Sequence, residues 1–145
     1  MFEMLTGKKT VRIKATILVE PIGKARARYT VKNGRVMTYT PARTRTAQLA
    51  IQLLIRQEVI KLGVFGGDQP IRLVATFYRP RPKHLPKRVK LPITKPDIDN
   101  TYKLLADALE KFVYENDSQI TTALIKKRFG SPPRIELMLE EDDEE

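Results

Sequence analysis

The chain has 145 residues, 41% of them hydrophobic and 30% charged, a balance that fits one soluble globular domain long enough to bury a core. It has no cysteine, which excludes disulfides and thiolate metal sites. No apolar run approaches the roughly 18 residues of a membrane span, and the opening "MFEMLTGKK" lacks the apolar centre of a signal peptide, so a cytoplasmic protein with no membrane partner is expected. The net charge of +10 conceals a division. The last six residues, "EEDDEE", take six of the 17 acids, so residues 1–139 set 27 basic residues against 11 acidic ones, a net of +16. No Asp or Glu lies between Glu20 and Glu58 or between Asp68 and Asp97, whereas residues 97–117 hold six. A body this positive points to a polyanion, and nucleic acid is the common one.

In chain order, "TVRIKATILVEP" (10–21) alternates as a strand, with Val11, Ile13, Ala15, Ile17 and Val19 on one face. "ARYTVKNGRVMTY" (27–39) reads as a hairpin turning at Asn33-Gly34, a pair suited to a two-residue type I′ turn. A helix follows, capped by Thr40, with Pro41 at its first position and Gly63 at its end. Within it Leu49, Leu53 and Ile60 recur at helical spacing and form an apolar stripe. "PIRLVATFYR" (70–79) is a strand. "PRPKHLPKRVKLPITKP" (80–96) carries five prolines, six basic residues and no acid, which excludes helix and central strand. It reads as a surface excursion or as an arm that grips nucleic acid and orders on binding. From about Asp99 to Tyr114 the pattern is helical, with Tyr102, Leu105, Leu109 and Phe112 on one face and Ala108 beside them. The strands "ITTALIKKRF" and "PRIELML" close the chain around Gly130-Ser131. The order β-β-β-α-β-α-β-β predicts an α+β fold: one domain over residues 1–139 with two main helices on a mixed sheet, then a solvated acidic tail at 140–145.

The chemistry centres on "KPDIDNTYK" (95–103). Pro96 biases Lys95 toward extended backbone, and in an extended chain Asp97 and Asp99 point the same way. Two carboxylates roughly 4 Å apart repel by about 4 kcal/mol at an effective dielectric near 20, so a cation between them is favoured. An isolated D-x-D-N is readily explained as a helix cap, with Asp99 or Asn100 capping and Asp97 in the loop. Two features tilt the balance. Lys103 follows Asp99 by one helical turn and reaches the same rim, and "YENDSQI" sets Asp117 just before the next strand, where a returning chain can bring it beside the pair. Three carboxylates make an oxygen-rich site suited to Mg²⁺ or Mn²⁺. An EF-hand counted from Asp97 needs Gly at its sixth place and Glu at its twelfth, where Tyr102 and Ala108 stand. No acid-x-lysine follows "PD" to complete a PD-(D/E)xK nuclease. His84, the only histidine, sits in the proline-rich segment and reads as a solvated loop residue.

"KPDIDNTYKLLADAL" followed by "VYENDSQI" closely resembles the signature of RusA-type Holliday junction resolvases of bacteria and their phages, and "PIGKARAR" and "RVMTYTPARTR" are similar to that family's opening segment. The resemblance covers most of residues 17–128. It implies metal-binding carboxylates at Asp97, Asp99 and Asp117, a catalytic lysine at Lys103, the asparagine after the pair at Asn100, Mg²⁺ or Mn²⁺ as cofactor, and a homodimer cutting four-way junctions symmetrically. Thr101 stands where an apolar residue is more usual, and the acidic tail lies outside the signature. The expected function is therefore a metal-dependent endodeoxyribonuclease of branched DNA in the nucleoid of a bacterium or on a phage genome. Arg26, Arg28, Arg43, Arg45, Lys83, Lys87, Arg88 and Lys90 are the expected backbone contacts. A metal-dependent RNase and a catalytically silent branched-DNA-binding module are the alternatives. Junction cleavage with and without Mg²⁺ separates them.

Overall fold

The computed structural model describes residues 12–25 and 28–143. Strand β1 is Arg12–Ile17, β2 is Arg28–Lys32, β3 is Arg35–Tyr39 and helix α1 is Ala42–Leu62. Strand β4 is Ile71–Arg79 and helix α2 is Ile98–Leu109; a short 3-10 turn, Asp117–Gln119, leads into β5, Ile120–Phe129, and β6 is Arg134–Glu141. This is the predicted order, in a single α+β domain. Four strands form a mixed sheet in the order β1-β6-β4-β5, with β4 and β5 parallel and the other pairs antiparallel. The hairpin strands β2 and β3 form a separate two-stranded sheet.

Alternation in the sequence selects the buried face. Along β4, Ile71, Leu73, Ala75 and Phe77 are buried, and their neighbours on β6, Ile135, Leu137 and Leu139, are buried beside them. Both helices cover that face: Ile51 and Ile55 of α1 and Leu104, Leu105 and Leu109 of α2 are fully enclosed. The other face of the sheet is polar, with Arg134 stacked 3.9 Å from the centre of the Tyr78 ring and Glu140 between Arg12 and Arg72.

The hairpin turns at Asn33 and Gly34 with φ of 52° and 74°, the double positive φ that a type I′ turn requires. Helix α1 begins one step later than Thr40 suggests: Pro41 is its N-cap residue, and no side chain caps it. Gly63 ends it at φ 90°, its N–H donating to the Val59 carbonyl at 2.8 Å. The stripe Leu49, Leu53 and Ile60 is not the buried one. Thr44, Ala47, Ile51 and Ile55 face the core, while Leu49, Leu53 and Ile60 lie exposed on the opposite side of a helix that is apolar on two faces. Helix α2 stops at Leu109 because Glu110 is extended and Lys111 adopts a φ of 65°, so Phe112 and Tyr114 pack from the loop and not from the helix. At the far end β6 continues through Glu141, so Glu140 and Glu141 belong to the sheet and not to a tail. Asp142 is held as well: its N–H donates to the Pro70 carbonyl, and its carboxylate accepts from Thr121 and Thr122 hydroxyls at 2.7 and 2.6 Å.

Leu105 of α2 is fully enclosed in the core. Leu105→Ala is expected to lower stability by about 2–5 kcal/mol, read as an earlier urea midpoint with an unchanged slope.

Candidate active site

Helix α2 has a buried and an exposed side, and its sequence divides cleanly between them. Leu104, Leu105, Ala108 and Leu109 face the core. Asp99, Lys103, Asp107 and Glu110, spaced by four, four and three residues, run down the outward side as one polar stripe. Asp97 is the N-cap residue, yet its side chain makes no capping hydrogen bond, and Asp99 lies inside the first turn. Capping therefore does not explain the carboxylate pair. The buried Thr101 directs its hydroxyl to the Ile98 and Asp97 carbonyls at 2.9 and 3.2 Å, which satisfies a polar group where an apolar residue would be more usual.

The segment 20–25 is laid against the start of α2. The Lys24 N–H donates to the Asn100 carbonyl at 3.0 Å, and the Ala25 N–H donates to the Thr44 hydroxyl at 3.3 Å. Gly23 permits this approach, since a Cβ there would sit 3.1 Å from the Asn100 Cβ and 3.2 Å from the Pro96 Cβ. Between this segment, α1 and the end of β4 lies a cleft of about 540 Å³, lined by Lys24, Arg43, Arg79 and Lys95 together with Glu20 and Asp97. Arg79 also holds the proline-rich segment, donating to the Lys95 carbonyl and the Thr94 hydroxyl, while its Nε is buried without a partner. Arg81 donates to the Val89 and Pro86 carbonyls at 2.6 and 2.7 Å, and Lys127 to the Thr94 carbonyl at 2.8 Å. The segment thus follows a path of turns tied to β4 and β5 by side-chain hydrogen bonds.

At the other end of α2 the chain turns back. Asn116 caps the short turn, accepting from the Ser118 N–H, while the Gln119 side chain accepts from the Asn116 N–H. That reciprocal cap aims Asp117 at the helix end. Among the described residues, Asp107, Glu110 and Asp117 form the one group of three metal-ligating side chains whose oxygens all lie within 4.8 Å of one another. Cis oxygens on one octahedral Mg²⁺ at about 2.1 Å lie about 3 Å apart, so these three carboxylates are near enough to hold such an ion if they draw in toward it. Lys24 forms an ion pair with Asp107 at its edge. Burial first, then the negative charges of Asp117 and Asp107, hold the Tyr102 hydroxyl above its usual pKa. Burial likewise raises that of Tyr114, whose hydroxyl donates to the Ala106 carbonyl at 2.5 Å.

Asp97 and Asp99 are not in that group. Ten residues separate Asp97 from Asp107, about 15 Å of helix, so a single ion cannot touch Asp97 and Asp117 of the same chain. Lys103 is exposed midway along the stripe. Of the expected DNA contacts, Arg43 lines the cleft. Arg28 and Arg45 are exposed on β2 and α1, and Lys83, Lys87, Arg88 and Lys90 are exposed on the proline-rich segment. Arg26 lies outside the described residues. Lys24, Arg79, Lys95, Asp107 and Glu110 were not singled out by sequence. The signal for the two acids was their place on the helical face of Asp99; nothing local marked the cations.

Two comparisons bear on this arrangement. The chain matches the family described as endodeoxyribonuclease RusA over residues 19–140. It is also 31% identical over 139 residues to an uncharacterized protein, YqaN, of Bacillus subtilis (strain 168), covering 89% of this chain and 96% of that one.

If Arg79 pins the proline-rich segment, Arg79→Met is expected to raise amide exchange across residues 83–95 by about tenfold or more, with the exchange of β4 and β6 unchanged. Hydrogen–deuterium exchange with peptide resolution reads this directly.

Proposed function

The chain belongs to the RusA endodeoxyribonuclease family, and on that footing we propose that it resolves four-way DNA junctions by paired, symmetric phosphodiester cleavage that depends on Mg²⁺, with Mn²⁺ as a substitute. The observation that carries the reading is an acidic stripe on α2 with carboxylate groups at both ends and a cationic cleft at its start. A phosphodiester needs both: cations to hold its oxygens, and carboxylates to hold an ion and water beside it.

The motif aspartates divide between the two ends of α2, and the proposed homodimer supplies the missing proximity. Two copies related by a two-fold axis can set the Asp97–Asp99 end of one against the Asp117 end of the other, so that each site draws carboxylates from both copies. Asp117, with Asp107 and Glu110, forms one half of the metal-holding set, and Asp97 and Asp99 form the other. A divalent ion bound there would lower the pKa of water and neutralise phosphate charge. Lys103, exposed between the halves, stabilises charge developing on the phosphate oxygens. Lys24, Arg43, Arg79 and Lys95 position the backbone in the cleft, and the basic residues of β2, α1 and the segment 80–96 extend that track. These contacts need not read bases. The nucleoid of a bacterial cell or a replicating phage is the setting in which such a substrate arises.

Asp97→Asn, Asp99→Asn and Asp117→Asn are each expected to abolish Mg²⁺-dependent junction cleavage while junction binding in EDTA survives. A mixture of the Asp97→Asn/Asp99→Asn double variant with Asp117→Asn is then expected to recover nicking, because a mixed dimer holds one complete divided site. A site contained in one chain predicts no recovery, and binding without nicking by the unaltered protein would favour the silent module.

The cationic track also sets the salt dependence. With about six phosphates engaged, log K for junction binding should fall with log[salt] at a slope near −5. A slope near zero would remove DNA as the partner.

A further inference from the structure

Helix α1 and the β2–β3 hairpin leave apolar surface that no part of the described chain covers. Leu53 and Ile60 are 68% and 74% exposed, and Leu49 and Leu54 lie exposed beside them. Thr46, Leu49, Leu53, Arg56 and Ile60 recur at alternating spacings of three and four, the pattern of a helix-pairing seam. This seam faces away from the buried residues Thr44, Ala47, Ile51 and Ile55. In the hairpin every residue of both strands is exposed, although an isolated two-stranded hairpin is marginal in water. Its register divides it into two unlike faces. Tyr29 opposite Thr38 and Val31 opposite Val36 make one face without charge, and the other carries Arg28, Lys32 and Arg35. β3 passes into α1 through Thr40 and Pro41, so the uncharged face and the seam belong to one stretch of chain.

We propose that the outward seam of α1 and the uncharged hairpin face, Tyr29, Val31 and Val36, are the surface on which a second copy of this chain docks. The inference rests on the two-copy reading above and says which surface joins the copies. Size and charge select the occupant. Large apolar side chains on both are about half to three-quarters open, from 47% for Leu54 to 74% for Ile60, and burying such side chains is what an interface of about 800 Å² per partner requires. A DNA backbone would instead take the hairpin's cationic face. The seam is also self-complementary: an antiparallel α1 pair centred on Leu53 sets Thr46 against Ile60 and Leu49 against Gln57, and holds the two Arg56 side chains about 9 Å apart along the axis.

Because the chain has no cysteine, one introduced thiol reports on this geometry without background. Leu53→Cys, beside the proposed axis, is expected to oxidise to a covalent dimer, while Lys126→Cys, on the opposite face of the sheet, stays monomeric on a non-reducing gel. In sedimentation equilibrium Leu49→Lys/Leu53→Lys should weaken dimerisation at least about 30-fold, with an unchanged circular dichroism spectrum showing that the chain still folds. Should the unaltered protein be a dimer that the double variant leaves intact, or should Lys126→Cys cross-link in place of Leu53→Cys, this surface is wrong and the two-copy reading stands. An unaltered protein that remains monomeric with junction DNA present overturns both.

Discussion

The parallel pairing of β4 with β5 is the constraint from which the rest of the site follows. Two consecutive parallel strands need a crossover, and α2 is that crossover, running back along the sheet from the end of β4 to the start of β5. Its ends must therefore lie at opposite ends of the strands. Leu104, Leu105 and Leu109 fix which side faces inward, and once they are buried Asp99, Lys103, Asp107 and Glu110 can only face out. The positions of the carboxylates follow from topology and burial, without any need for the acids to attract one another.

The same geometry reconciles a very basic chain with an acidic site. The acid-free stretches fall on the cleft side, where Arg43, Arg79 and Lys95 come from three different elements, and the acids concentrate on the helix and the turn that follows it. Lys24 ties the two together through Asp107, and Gly23 makes that contact possible by admitting the backbone of residues 20–25 against Asn100. At an effective dielectric near 20, groups of opposite sign one helix-length apart scarcely neutralise each other, so both fields remain available to a substrate that spans them.

Sequence periodicity read the sheet well because strand alternation is a local property: Ile71, Leu73, Ala75 and Phe77 announce their face without reference to anything distant. The type I′ hairpin was legible for the same reason, being written in Asn33-Gly34. Helix α1 was harder. Apolar residues occupy two of its faces, and spacing alone does not say which meets the sheet; the stripe that spacing picks out is the exposed one. The acidic end of β6 was misread because composition suggests solvation, whereas Arg12 and Arg72 on the neighbouring strands give Glu140 its partners. At the site, the aspartates of the motif were plain, but that α2 holds them apart depends on the strand order, which no local pattern encodes. The proline-rich segment is held by Arg79, Arg81 and Lys127, whose partners lie up to 33 residues away and are invisible to a local window.

On the proposed reading, the separation of Asp97 from Asp117 is itself part of how cutting is controlled. A chain that carried all three ligands in one place would cut whichever strand it met, alone and unpaired. Dividing the ligands between the ends of one helix leaves the lone chain with two incomplete halves, each anionic and each unattractive to phosphate until an ion is shared. A two-fold partner completes two sites in the same step, by the same contacts, so one cut cannot be enabled without the other. For a junction whose arms present two equivalent strands, that coupling comes from the strand order of the sheet, and requires no further moving part.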